Sequence, residues 1–132
     1  MDIEKPRPVV IREQDVKPFV SPLPFNRTLR VLLSPSRAEA APGVAFGAVE
    51  VGPNQVSPPH SHDVEQEAWY VISGRGTIRV GDTVVDVEPG TVVVSPPRVE
   101  HQLTNPGPEV LKALFIFSPA GPEAHRSESS TI

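Results

Sequence analysis

Two imidazoles stand two residues apart at His60 and His62, a carboxylate follows at Glu67, and a third imidazole arrives at His101. Imidazole nitrogen and carboxylate oxygen together suit one divalent transition metal ion, Fe, Mn, Ni, Co or Zn, whereas all-oxygen calcium and magnesium sites and thiolate sites draw on other residues. The chain has no cysteine, which removes thiolate ligands, disulfides and a cysteine nucleophile together. Three of its four histidines belong to this set. Four protein ligands leave about two positions open on an octahedral ion. A dication with one glutamate has a net charge near +1, so it favours small anionic or chelating ligands such as an enolate, a carboxylate or a hydroxyketone. Such a centre can polarise a carbonyl or hold a substrate beside dioxygen.

These side chains meet only if the chain between them is extended. In a strand, residues i and i+2 share a face, which puts His60 and His62 on one side, and Glu67 with Trp69 and Val71 on one side. The composition agrees. Seventeen of 132 residues are proline, well above the ~5% average, and they fall between short runs of Val, Ile and Thr, the punctuation of an all-β domain. Strands are expected at 8–12, 29–33, 44–51, 67–73, 76–80, 83–88, 91–94, 98–104 and 110–117. Gly81-Asp82 reads as a two-residue hairpin turn and Pro89-Gly90 as a second turn. The run Val92-Val93-Val94 is apolar on both faces, which predicts a central strand. Residues 34–43 read as a loop with at most one helical turn. A proline-bearing arm at 1–28 must lie on its own domain or a neighbour's, the folded domain spans 29–118, and the tail at 119–132 is expected to be loose.

Two segments resemble the paired motifs of the cupin family. His60-x-His62-x4-Glu67-x6-Gly74 is similar to the first, and Pro89-Gly90 followed by Pro96-x-Arg98-x2-His101-x3-Asn105 to the second. The resemblance covers residues 44–118. It implies a single-domain cupin jelly-roll β-barrel (double-stranded β-helix), with one metal held inside by His60, His62, Glu67 and His101. Two positions depart from the family pattern. Asn54 stands where a glycine usually precedes the first histidine by six residues, with Gly52 two positions earlier. Arg98 stands where a glycine usually precedes the last histidine by three. Asn tolerates the left-handed conformation, and Arg98 places a cation near the mouth of the barrel.

Further candidates are thinner. Tyr70 is a catalytic phenol or, since it faces away from Glu67 in a regular strand, an outward residue. Arg79 and Arg98 can bind a substrate carboxylate or sit on an exposed face. Trp69 with Phe115 or Phe117 can wall an apolar pocket or simply pack the core. Glu65 is an outer acid or base or a solvated loop carboxylate, Asn105 bonds a ligand imidazole or caps its own turn, and His125 reads as a solvated tail residue. A net charge of -4 gives no reason to expect nucleic acid, and no apolar run approaches the ~18 residues of a membrane helix. A cytoplasmic protein is expected, with a small-molecule substrate or ligand and a homodimer formed through apolar sheet faces or arm exchange. Among functions, a metal-dependent enzyme of the dioxygenase or oxidoreductase type ranks first. A metal-dependent isomerase, lyase or decarboxylase comes next, and a non-catalytic sugar or metabolite binder is the third reading.

Overall fold

A computed structural model describes residues 8–35 and 43–125, with nothing stated of the His125 side chain. Among the described residues ten strands run in chain order: β1 Phe19–Val20, β2 Arg27–Leu33, β3 Ala45–Val51, β4 Gln55–Val56, β5 Gln66–Ser73, β6 Gly76–Val80, β7 Thr83–Val87, β8 Val92–Ser95, β9 His101–Asn105 and β10 Leu111–Ser118. They form a six-stranded sheet of order β1-β2-β3-β10-β5-β8 and a four-stranded sheet of order β4-β9-β6-β7. Every pairing is antiparallel. From β3 onward the chain keeps crossing between the sheets, so that β3-β10-β5-β8 faces β4-β9-β6-β7. That is the eight-stranded jelly roll, extended at one edge by β1 and β2. The sheets face each other without closing into one continuous hydrogen-bonded barrel.

Period-two alternation decides which side chains enter the space between the sheets. On β5, Glu67, Trp69 and Val71 are buried while Gln66, Tyr70 and Ile72 are exposed. On β10, Leu111, Ala113, Phe115 and Phe117 turn inward, and on the opposing sheet Ile78, Val87 and Leu103 meet them. The hairpin between β6 and β7 turns at Gly81 and Asp82, with Val80 paired to Thr83 and Gly81 at φ 58°. Pro89-Gly90 makes the next turn, closed by the Thr91 amide donating to the Glu88 carbonyl at 3.0 Å, with Gly90 at φ 93°. Both are turns the glycines make cheap.

Several elements differ from expectation. Residues 8–12 form no strand: β1 occupies the edge beside β2, and Val9 and Val10 are exposed. The run Val92-Val93-Val94 lies in an edge strand, because among the described residues β8 pairs only with β5. Its outward valines stand on an uncovered face, Val92 at 61% exposure. The strand expected from residue 98 begins at His101, because Arg98 takes φ 66°, which breaks extended backbone. Residues 119–125, read as loose, include a short 3-10 turn at Pro122–His125 whose Glu123 is buried, accepting from Ser34 Oγ and from the Gly121 amide. The arm lies at least partly on its own domain: Val16 and Phe19 are buried, and Lys112 Nζ pairs with Glu13 at 2.8 Å. The loop expected at 34–43 lies mostly outside the described residues. No helix among the described residues is long and apolar enough to cross a membrane.

Candidate metal centre

Three different parts of the chain supply the cluster. Glu67 is the second residue of β5 and points inward. His101 opens β9 on the opposing sheet. His60 and His62 sit in the connection from β4 to β5, where Pro58 and Pro59 fix φ on the approach. His60 is tied to His101 by an isolated antiparallel bridge, its amide donating to the His101 carbonyl at 3.2 Å and its carbonyl accepting from the His101 amide at 2.9 Å. The His62 carbonyl accepts from the Arg98 amide at 2.7 Å. The left-handed turn at Arg98 therefore does the work of the expected glycine and fastens one ligand loop to the other. Asn54 likewise takes φ 57°, as its side chain allows.

The side chains converge. Glu67 Oε1 lies 3.0 Å from His101 Nε2, 3.2 Å from His62 Nε2 and 3.8 Å from His60 Nε2. One ligand atom from each of the four residues falls within 4.8 Å of all the others. His60 Nε2 and His101 Nε2 are 3.0 Å apart.

The far nitrogens decide the protonation pattern. His60 Nδ1 lies 2.8 Å from the Pro58 carbonyl oxygen, which can only accept, so Nδ1 carries the proton. His101 Nδ1 lies 3.1 Å from Ser95 Oγ, whose own hydroxyl has the Val99 carbonyl as acceptor at 3.5 Å, so this Nδ1 also donates. Ser95 is paired with Glu67 across β8 and β5, so His101 reaches over the interior to two neighbours on the facing sheet. In the neutral rings, Nε2 of His60 and Nε2 of His101 are then bare lone pairs facing each other and a carboxylate. A cation in their midst is what this donor set calls for, and the residues fit a transition metal ion.

The electrostatics agree. Burial pushes the His60 imidazole down from its ordinary value, and His101 adds to this; the Glu67 carboxylate pulls the other way without reversing it, so His60 stays neutral. For Glu67, burial alone would raise the pKa. Hydrogen bonds that His101, His60 and His62 can donate to its carboxylate in their Nε2–H forms, the forms a metal would displace, outweigh that and hold it well below the usual carboxylate range. A neutral His60 beside an ionised Glu67 is the protonation pattern a metal needs.

A cavity of ≈ 20 Å³ adjoins the cluster, lined by His60 and Glu67 at one side and by Trp69, Phe117, Ser57 and Arg27 among others. That is room for about one or two waters. Trp69 and Phe115 both pack the core and wall this cavity. The Trp69 ring meets His101 edge-on at 4.8 Å, and Phe117 meets His62 at 5.1 Å.

The weaker sequence candidates stay outside. Tyr70 is exposed on the outer face of β5. Arg79 pairs with Glu100 at 2.8 Å and donates to the Gly81 carbonyl on the outer side of the four-stranded sheet. Arg98 contributes its backbone, while its side chain is exposed and does not line the cavity. Asn105 caps its own turn: its Nδ2 donates to the carbonyls of Val51, Gly52 and Glu109, and its Oδ1 accepts from the Gly107 amide. Glu65 stands against Gly121 of the C-terminal segment. Sequence reasoning missed Ser95, Ser57 and Arg27. Arg27 had a signal: it continues the inward series of Leu29 and Val31 at period two, an unusual place for a cation.

Residues 47–117 match the cupin domain family, over more than half of the chain. The chain belongs to the cupin family. The cupin is 36% identical over 76 residues to an uncharacterized protein of Streptomyces coelicolor, an alignment covering 58% of this chain and 69% of that one. Among solved structures it resembles a predicted oxalate decarboxylase from Thermotoga maritima, with a TM-score of 0.72 at 21% identity over 84% of this chain and 99% of that one. It also resembles the polyketide cyclase RemF from Streptomyces resistomycificus, with a TM-score of 0.73 at 22% identity over 88% of this cupin and 82% of the cyclase. At such identities the structural likeness carries the fold.

Proposed function

We propose that this cupin binds one divalent transition metal ion through His60, His62, Glu67 and His101. We read it as an enzyme that carries out oxygen-dependent oxidation or cleavage of a small chelating or enolisable substrate. The observation that supports this most is the meeting of His60 Nε2 and His101 Nε2 at 3.0 Å with the proton of each ring committed elsewhere. When bound, such an ion supplies Lewis-acid polarisation of a substrate oxygen, or a position beside the substrate for dioxygen.

The chain's own residues do the rest. Glu67 contributes the single negative charge among the four ligands and stays ionised. The Pro58 carbonyl and Ser95 keep Nε2 of two rings directed inward. Trp69, Phe115 and Phe117 wall the cavity with apolar surface and limit water beside the reacting atoms.

A second reading, metal-assisted lyase, decarboxylase or isomerase chemistry without dioxygen, is favoured by the structural likeness to a predicted oxalate decarboxylase and a polyketide cyclase. The deciding experiment is elemental analysis of protein purified without a histidine tag, followed by an oxygen-electrode survey of small enols, hydroxyketones and 2-oxo acids. An iron protein that consumes O2 with substrate supports the first reading. A zinc, nickel or manganese protein that turns substrate over anaerobically supports the second. Protein that takes up no transition metal at any supplied concentration overturns both.

A further inference from the structure

The cavity beside the cluster is walled mostly by apolar side chains, and besides the ligands His60 and Glu67 its polar lining is Ser57 and Arg27. Arg27 has partners of its own, Ser21 Oγ among them at 2.9 Å. Ser57 differs. It is 1% exposed and carries the pairing of β4 with β9 one residue further: its amide donates to the Leu103 carbonyl at 2.8 Å, so its side chain shares the inward face of Leu103. Its carbonyl accepts from Gln102 Nε2 and its Oγ from the Leu103 amide, each at 2.9 Å. The hydroxyl proton cannot turn toward that amide, and no acceptor among the described residues takes it. Native interiors seldom leave a buried donor unspent, and one on the wall of a cavity marks the place of an acceptor.

The strand register sets this hydroxyl beside the cluster. Two residues along β9 from Leu103 stands His101, buried on the same face and bridged to His60. That step is about 7 Å, the reach of a small molecule. Ser57 and His60 line the same cavity, so a ligand there has the metal ligands on one side and the hydroxyl on the other.

We propose that Ser57 is a specificity-determining residue: its Oγ–H donates to a second oxygen of a substrate whose first oxygen is directed to the His60, His62, Glu67 and His101 cluster. The inference rests on the metal-binding reading of that cluster. Because Ser57 Oγ already accepts from Leu103, the group it meets is an acceptor, the oxygen of a carbonyl, carboxylate or enolate. The cavity admits only a compact head, so the two oxygens stand on the same carbon or on adjacent ones. The bond to Leu103 makes Ser57 also a fastener between β4 and β9, and the two roles separate by experiment.

The test uses protein loaded with Co(II), whose visible absorption bands report what reaches the ion. Formate and glyoxylate are the probes with a second acceptor oxygen, and chloride, a single atom, is the probe without one. Each is titrated into wild type, Ser57→Ala, Ser57→Cys and Gln102→Ala, with cobalt content and melting temperature recorded. Gln102→Ala loosens the same strand pair through the Ser57 carbonyl and leaves the hydroxyl in place. Both acids are expected to bind wild type saturably. Ser57→Ala is expected to keep its cobalt, lose about tenfold or more of affinity for the acids, and bind chloride within about threefold of wild type. Ser57→Cys, a weak donor of similar size, is expected to shift the same way and serves if the alanine variant does not fold. Gln102→Ala is expected to melt lower and bind all three probes within about threefold of wild type. The assignment is overturned if the Ser57 variants weaken acids and chloride alike or not at all, or if Gln102→Ala weakens the acids as selectively as they do. It is equally overturned if loaded wild type binds neither acid. If wild type holds no cobalt or other transition metal, the underlying reading fails and this one with it, and elemental analysis shows that independently of Ser57.

Discussion

Replacing Ser95 by alanine tests whether the buried hydroxyl sets the state of the metal ligands. Ser95 Oγ is the acceptor for His101 Nδ1 at 3.1 Å, in a place almost closed to water. Without it, the Nδ1 proton has no partner, at a cost of about 1–3 kcal/mol. The ring has an escape: the proton can move to Nε2, where Glu67 Oε1 and His60 Nε2, both 3.0 Å away, accept it. The metal-free protein thus relaxes into the tautomer that cannot bind metal, and metal must reverse that choice. The expected loss of metal affinity is about 10–100-fold, the range for such supporting partners. The metal-free variant is expected to lose no more than about 1 kcal/mol of stability. Affinity is measured by chelator competition, read as quenching of Trp69 by Co(II) or Ni(II), since the indole lies 4.8 Å from the His101 ring. Imidazole nitrogen NMR of the metal-free protein reads the tautomer. Ser95→Thr, which keeps the hydroxyl, is expected to recover most of the affinity. Ser95→Ala binding metal within about threefold of wild type, with His101 still protonated at Nδ1, would refute the tautomer argument.

Other outcomes follow from the same geometry. His101→Ala is expected to remove most bound metal by elemental analysis, and retention of a full equivalent would displace the ligand assignment. The metal-free protein is expected to be acid-labile. His60 has its pKa lowered in the fold, so its contribution is complete above the unfolded value of ~6.5 and fades as pH falls toward the depressed one. Glu67, also depressed, adds a further loss below the unfolded carboxylate value of ~4.3 as pH approaches its folded pKa. Melting temperatures should therefore hold from about pH 8 to about pH 7 and fall from there down to about pH 4. Arg98→Gly relieves a left-handed residue at φ 66°, and melts should show a gain of about 0.5–1 kcal/mol once the entropy of glycine is deducted. Light scattering is expected to report a homodimer that Val94→Lys weakens, since Tyr70, Ile72, Val92 and Val94 expose apolar surface on the outer face of β5 and β8.

The clustering of His60, His62, Glu67 and His101 was legible because ligand types at strand spacing leave few other uses for three of four histidines. The turns at Gly81 and Gly90 were legible because each is local: the residues that make the turn are the residues one reads. What failed was non-local. Whether Val92-Val93-Val94 is central or at an edge depends on strand order, which no property of the run itself encodes. Arg98 was read as a departure from a glycine pattern. Its backbone adopts the glycine conformation anyway, because its amide has the His62 carbonyl to satisfy. Arg27 escaped because an arginine beside a proline-bearing arm looks exposed, and only the alternation with Leu29 and Val31 says otherwise. Ser95 read as the end of a strand, and the importance of its hydroxyl appears only when β8 is laid against β5 and His101 comes across from the other sheet.

The cluster also bears on why the two sheets stay together. The faces that meet are apolar, and dispersion and burial hold them without fixing their register closely. The polar contacts that cross the interior do fix it: His101 on the four-stranded sheet reaches Glu67 and Ser95, neighbours on β5 and β8 of the other. An ion taken up here would bind to both sheets at once, and any binding confined to the folded state adds to folding stability. Deprived of it, the interior keeps an ionised carboxylate among imidazoles whose lone pairs oppose one another. That arrangement is costly for a core to retain on packing grounds alone. An ion at this point would relieve that cost, and the same arrangement that makes the metal-free form acid-sensitive would make the loaded form more rigid there.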